Sequence, residues 1–151
     1  MTTALEAIKA KLETLTAEFA ALVARTARSI LIPEKKISLA EGESLGGLVL
    51  DDVGHPSHYV IMLPGEVEST SWDDSMAWAK TAGGRLPTRR EQSLLYAHCK
   101  AEFKAAYYWS SEQHADHSGN AWLQYFDDGY QIYNHKTFQG RARAVRSEPI
   151  Q

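Results

Sequence analysis

Four potential metal ligands lie within one short segment, Glu112-Gln113-His114-Ala115-Asp116-His117. Histidine nitrogens and carboxylate oxygens are ligands that Zn²⁺ accepts. A metal site also needs its ligands held in a fixed geometry by partners behind them, and close spacing in a loop does not supply this. We therefore expect a solvated loop between two strands, with no metal and no other cofactor.

The remaining histidines and the cysteine do not form a recognisable catalytic set. His55 and His58 lie in a turn-rich segment and are expected at the surface. Cys99 is the only cysteine, which excludes a disulfide within the chain. It lies between Leu95 and Phe103 at helical spacing, so we interpret it as a small buried apolar residue rather than a catalytic thiol. With no supported Ser-His-Asp or Cys-His arrangement, we predict that the protein is not an enzyme.

A predicted hairpin near the C-terminus offers a binding surface. Strands at 121–126 and 130–135 flank Asp127-Asp128-Gly129, a turn sequence. We expect Trp122 and Phe126 to face the core and the other face to bind a ligand. The predicted ligand-binding residues are Tyr125, Asp127, Asp128, Gln131, Tyr133 and His135.

The composition of this face indicates the kind of partner. Tyrosine offers rigid stacking area, and Gln131 and His135 offer adaptable hydrogen bonds. The aspartates would repel phosphate groups, so a protein or glycan is favoured over a nucleic acid. Tyrosine is also frequent on exposed strands because of its β propensity alone, which leaves a purely structural interpretation open.

Residues 1–28 carry a heptad pattern typical of an oligomerising helix. The apolar positions are spaced alternately by three and four residues, namely Leu5, Ile8, Leu12, Leu15, Phe19 and Leu22. A helix of this length needs to bury such a stripe, either against copies of itself or in a groove of its own domain. The strict 3.5-residue period favours self-association. We therefore predict an N-terminal coiled-coil helix and a homo-oligomer of undetermined number.

The rest of the chain is predicted to be α+β. Residues 29–47 contain a proline and two glycine-rich turns and are interpreted as a connector. Residues 48–151 form the predicted domain, which begins with two strands and continues with two helices that start after Ser71 and Thr88. A terminal antiparallel sheet completes it, with its last strand at 141–146.

One set of motifs resembles a known family. The chain has Gly83-Gly84-Arg85-Leu86-Pro87-Thr88 before a helix, then Tyr108-Trp109-Ser110-Ser111 and Trp122, and finally Arg141-Ala142-Arg143-Ala144-Val145-Arg146. Together these resemble the C-terminal domain of Lcl-type collagen-like adhesins. That bacterial and phage family has no assigned enzyme activity and has a C-type-lectin-like fold.

The resemblance implies a C-type-lectin-like domain over about residues 46–147, in a phage or prophage protein that binds ligands through its terminal sheet. The same fold carries the formylglycine-generating enzymes, which use a pair of cysteines where this chain has one. Many C-type lectins bind sugar through calcium with Glu-Pro-Asn and Trp-Asn-Asp motifs. Here Trp122 precedes Leu123 and Gln124, and no Glu-Pro-Asn occurs, so calcium-dependent sugar binding is not expected.

Composition narrows the function classes further. The 151 residues are 44% hydrophobic and 23% charged, with a formal net charge of −3, so no overall positive field attracts nucleic acid. The apolar runs are too short for membrane insertion, and we expect a protein that is cytoplasmic where it is made and associates with a virion. We predict a phage-associated protein that binds a receptor or host surface. The alternative is an intracellular regulatory or counter-defence module that binds a small molecule or a host protein.

Overall fold

The computed structural model describes residues 3–26 and 29–151. The chain divides into two compact units, which meet in sequence between residues 32 and 33. The first unit contains a single helix, α1 (Thr3–Thr26). Residues 3–25 of this helix are all exposed, including the six residues of the heptad stripe. The outer residues of the predicted 1–28 helix, at 1–2 and 27–28, lie outside the described part of the chain.

The second unit is a mixed α+β structure with two sheets, which confirms the predicted class. The first sheet is antiparallel and has the order β1-β2-β8, with β1 at Ser44–Leu50, β2 at Pro56–Met62 and β8 at Val145–Pro149. Since β8 pairs with β2, the first and last strands of the unit belong to one sheet. Arg146 of β8 also links the end of the unit to the segment before β1, because its guanidinium binds the Glu43 carboxylate at 2.7 and 3.0 Å.

The second sheet has the order β3-β7-β4-β5-β6, and only the β4–β7 pair is parallel. Its strands are β3 (Val67–Thr70), β4 (Tyr107–Gln113), β5 (Asn120–Tyr125), β6 (Gln131–His135) and β7 (Gly140–Ala142). Helices α2 (Trp72–Thr81) and α3 (Arg89–Cys99) come between β3 and β4, and a short 3₁₀ helix (Lys100–Glu102) follows α3. Both helices begin at the predicted caps, since the Ser71 and Thr88 hydroxyls accept backbone N–H bonds.

The core consists of two hydrophobic clusters on opposite sides of β4. Tyr108 packs with Leu95 and Phe126 in one cluster, while the next residue, Trp109, packs with Leu86 and Leu123 in the other. Consecutive side chains of a strand point to opposite faces, so β4 contributes to both clusters. Cys99, at the end of α3, is buried in the first cluster, as the sequence predicted.

The first strand starts earlier than predicted, because β1 begins at Ser44, inside the predicted connector 29–47. The sequence predicts a turn at Gly46-Gly47, yet both are strand residues at a bulge in the β1–β2 pair. A Cβ atom on Gly46 would lie 2.8 Å from both Leu95 Cδ2 and Val60 Cγ1. Glycine is therefore required here for the close approach of β1 to α3 and β2, rather than for a reversal of the chain.

The predicted single strand at 141–146 is also wrong. It is divided into β7 and β8, and between them the chain passes from the second sheet to the first. The Leu63 backbone N–H donates to the Ala144 carbonyl at 2.9 Å in this passage. The alternation of arginine with small or apolar residues is interrupted at Ala144-Val145, next to the change of sheet, but one shift of parity does not by itself predict that the chain enters a second sheet.

Candidate functional site: an aromatic and histidine face beside a cleft

The register of the β5–β6 hairpin determines which residues share a face. Trp122 pairs with Tyr133, Gln124 with Gln131, and Asn120 with His135. Directly paired residues of antiparallel strands project to the same side, so Trp122 and Tyr133 lie together. The Gln124 side chain donates to the Gln92 carbonyl of α3 at 3.0 Å, which identifies this side of the sheet as the one that α3 covers.

Four rings form a contiguous surface on this side beyond the start of α3. The Trp122 and Tyr133 ring centroids are 5.2 Å apart in an edge-to-face arrangement. His114, from the loop after β4, lies 4.3 Å from Tyr133 and 5.4 Å from Trp122, and it stacks on His117 at 5.0 Å. We call Trp122, Tyr133, His114 and His117 the aromatic face.

The aromatic face is accessible and its rings are held in place. Tyr133 and His117 are exposed, and Trp122 and His114 are partly buried. His114 Nδ1 accepts hydrogen bonds of 3.2 Å from the backbone N–H groups of Asp116 and His117, which orients its ring. Rings fixed in this way lose little conformational freedom when a ligand stacks on them.

Arg89, the first residue of α3, connects the helix to the aromatic face. Its guanidinium carbon lies 3.5 Å from the centroid of the Trp122 ring, a cation–π contact. Its Nε donates to Gln131 Oε1 at 2.9 Å, and its backbone N–H donates to the Glu112 carboxylate at 2.7 Å. Gln131 also donates to Gln124 Oε1 at 2.8 Å, so the polar groups beside the rings form one network.

The position of α3 depends on a buried carboxylate, Glu91, whose side chain is completely buried. The Arg85 guanidinium binds both of its oxygens at 2.6 and 2.7 Å, His58 Nε2 donates to it at 2.7 Å, and the Thr88 N–H donates at 2.8 Å. Burial acts to raise the pKa of Glu91, but these hydrogen bonds outweigh it and lower the pKa to about 2.

A cleft of about 710 Å³ adjoins the aromatic face. It lies between the start of α3 and the β1–β2 loop, and its lining includes Arg89 and Gln131 of the network beside the aromatic face. Its other polar lining includes Ser57, Arg90 and Glu112. The Arg90 guanidinium is already hydrogen-bonded, since it donates to the Leu50 carbonyl and the Asp52 carboxylate at 2.7 Å each. With Asp51 and Asp52 also in its lining, the cleft offers charges of both signs and many hydrogen-bonding groups rather than a positive pocket.

The structure brings together only part of the predicted ligand-binding set. Gln131, Tyr133 and His135 share one side of the sheet, as expected. Tyr125 lies on the opposite side, where it stacks on Tyr107 with ring centroids 4.6 Å apart. Asp127 and Asp128 are exposed in the hairpin loop, and the Asp128 carboxylate accepts from the Tyr130 N–H at 3.0 Å.

The loop length explains the error in the predicted face. Tyr125 and Tyr130 are joined by a backbone hydrogen bond of 2.7 Å, so four residues, 126–129, form the loop. Even-numbered residues of β5 therefore pair with odd-numbered residues of β6, which places Trp122 on the same side as Gln131 and Tyr133 and leaves Tyr125 on the other side. Phe126 is buried as predicted, but Trp122 is only partly buried, and Leu123, expected to face outward, is 1% exposed.

Sequence reasoning missed three contributors to the site, namely Trp122, Arg89 and the His114–His117 pair. The sequence predicts a solvated loop at 112–117, and nothing in its residue spacing indicates that His114 and His117 stack beside Tyr133. In residues 3–26 and 29–151, no group of three or more His, Cys, Asp or Glu side chains is arranged to hold a metal ion. In the same residues no helix combines the length and apolar character needed to cross a membrane. Compared with known proteins, the chain matches no protein-family model and no curated protein sequence.

Proposed function

We propose that the protein is a non-catalytic binding and display protein with a C-type-lectin-like domain, and that the aromatic face is its ligand-binding surface. The observation that carries the proposal is the contiguous, accessible set of rings, Trp122, Tyr133, His114 and His117, held beside the Arg89–Gln131 network. Aromatic rings with adjacent hydrogen-bonding groups are typical of surfaces that bind proteins or glycans.

The order of elements supports the fold proposal. A strand pair comes first, two helices follow, and an antiparallel sheet ends the unit while β8 returns to pair with β2. This agrees with the C-type-lectin-like order that the motifs between Gly83 and Arg146 imply. The setting that follows from the resemblance is a phage or prophage protein that binds a receptor or host surface, with α1 as an oligomerising helix that multiplies the sites.

The test is capture of a host envelope fraction by the immobilised protein. Replacing His117 and Tyr133 with alanine should abolish capture and leave the melting temperature nearly unchanged, because both residues are exposed. Tyr130→Ala is the matched control, since Tyr130 is an exposed tyrosine that pairs with Tyr125 on the other side of the hairpin. Capture that survives the double change would place the binding site elsewhere.

The same assay separates the two ligand classes. Periodate oxidation of the envelope fraction destroys glycans, whereas protease treatment removes proteins. Loss of capture after one treatment and not the other assigns the class of ligand.

The adjoining cleft supports the alternative, a regulatory module that binds a small molecule. Its volume of about 710 Å³ lies in the range of small-molecule sites. Native mass spectrometry of the protein purified from its host should then show a retained ligand. Ser93→Trp, which would introduce a large side chain at the cleft lining, should remove that ligand without affecting capture of the envelope.

A further inference from the structure

The arrangement of charges on α1 indicates how this helix associates. Its stripe residues Leu5, Ile8, Leu12, Leu15 and Phe19 are each more than 60% exposed, an extent that calls for a partner surface in water. In the heptad frame, Leu5, Leu12 and Phe19 occupy position a, and Ile8 and Leu15 occupy position d. The positions that flank this seam decide between the possible alignments.

A parallel pair of these helices gains no ion pairs across the seam. In that alignment a residue at position g faces the position e residue that lies five places later in the second copy. Lys11 would face Thr16, and Glu18 would face Val23. The Thr16 hydroxyl is already bonded to the Leu12 carbonyl of its own helix at 2.8 Å.

An antiparallel pair is complementary in both packing and charge. When Leu12 packs against Leu15 of the second copy, Ile8 packs against Phe19 of that copy. Positions g of the two helices then face each other, which places Lys11 opposite Glu18 of the second copy, and the two-fold axis produces this ion pair twice. The flanking e positions bring Lys9 opposite Thr16, so like charges do not meet.

We propose that the partner of α1 is a second copy of this chain, bound antiparallel, with two reciprocal Lys11–Glu18 pairs that fix the alignment. The proposal rests on the self-association included in the proposed function, and it adds the number of chains and the relative direction of their helices. In such a dimer the two chains leave the helical pair at opposite ends, about 36 Å apart for a 24-residue helix.

Charge exchange tests the alignment. Lys11→Glu and Glu18→Lys should each raise the dimer dissociation constant about tenfold, because each creates two like-charge contacts. Combining the two changes in one chain should restore the original dissociation constant. An equal mixture of the two single variants should form a heterodimer in preference to either homodimer. The control is Lys9→Glu, which faces no charge and should not be compensated by Glu18→Lys.

Disulfide trapping gives an independent readout. Ile8 and Phe19 of one helix are separated by eleven residues, about 16 Å, which is too far for a disulfide within the chain. The double variant Ile8→Cys/Phe19→Cys should therefore oxidise to a dimer linked 8 to 19, identified by peptide mass, while neither single variant cross-links.

The outcomes separate the antiparallel dimer from the more general proposal that α1 self-associates. An 8-to-19 link in a species of twice the chain mass, together with charge rescue, supports the antiparallel dimer. Links from 8 to 8 and from 19 to 19, or a tetrameric mass, would overturn the antiparallel dimer and leave self-association standing. A chain that stays monomeric by light scattering at all concentrations would overturn both.

Discussion

At the scale of single residues, Glu91 links stability to pH. Its pKa is lowered to about 2 in the folded protein, so the folded state favours the ionised carboxylate. The contribution of Glu91 to the free energy of unfolding is complete above the ordinary carboxyl pKa. It is lost as the pH falls from about 5 towards 2, because the unfolded chain then binds the proton more readily. Urea unfolding across this range should show stability decreasing by about 2–3 kcal/mol through this residue.

The variant Glu91→Gln should be less stable at neutral pH, because Arg85 and His58 lose their charged partner, and it should have a flatter dependence on pH. Asp52→Asn is the control, since the Asp52–Arg90 pair is exposed and contributes little. An acid profile that Glu91→Gln leaves unchanged would show that other carboxylates dominate acid unfolding.

Arg89 contacts both the aromatic face, which we propose as the binding surface, and the polar network beside it. Replacing it with lysine keeps the charge but loses the planar contact with Trp122 and the Nε bond to Gln131. Arg89→Lys should therefore weaken capture of the envelope fraction several-fold with a small change in melting temperature. Arg90→Lys is the matched control, because Arg90 donates to Leu50 and Asp52 and makes no contact with the aromatic face.

At the scale of elements, both faces of strand β5 contribute a buried side chain, Leu123 on one side and Gln124 on the other. Leu123 is 1% exposed and packs in the Trp109 cluster, so Leu123→Ala should cost about 2–5 kcal/mol. Trp122→Ala should cost less, because Trp122 is only partly buried, and should instead reduce binding. Thermal unfolding in which Trp122→Ala is the more destabilising change would contradict the assignment of faces.

The contact between β1 and α3 gives a second prediction at this scale. Gly46→Ala would place a methyl group 2.8 Å from side-chain atoms of Leu95 in α3 and Val60 in β2, so this packing would have to shift and stability should fall by about 1–3 kcal/mol. Gly119→Ala is the control, because its added Cβ would meet only His135 at an ordinary distance of 3.7 Å. Since α3 carries Arg89, Gly46→Ala should also weaken capture of the envelope fraction.

At the scale of the whole molecule, association and ligand recognition should be separable. Replacing Leu12 and Leu15 with aspartate would bury charge in the helical seam and should give monomers by light scattering. The monomers should keep the single-site affinity of the second unit and dissociate faster from a surface that carries many ligands. An unchanged mass would refute self-association through this stripe.

The sequence by itself determined the local features of this protein. The heptad stripe predicted α1, the Ser71 and Thr88 caps predicted where α2 and α3 begin, and the single Cys99 was predicted to be buried. These features depend on residues within a few positions of one another, where spacing and capping chemistry decide the conformation.

The tertiary structure decided which residues meet. A four-residue loop placed Trp122 beside Tyr133 and moved Tyr125 to the opposite side, because a shift of one residue in register exchanges the faces of a strand. The chain's passage between sheets after Ala142 and the stacking of Arg89 on Trp122 join residues that are distant in sequence. Such contacts depend on the packing of whole elements, so the pattern along the chain predicted a binding hairpin but not the side of it that forms the aromatic face.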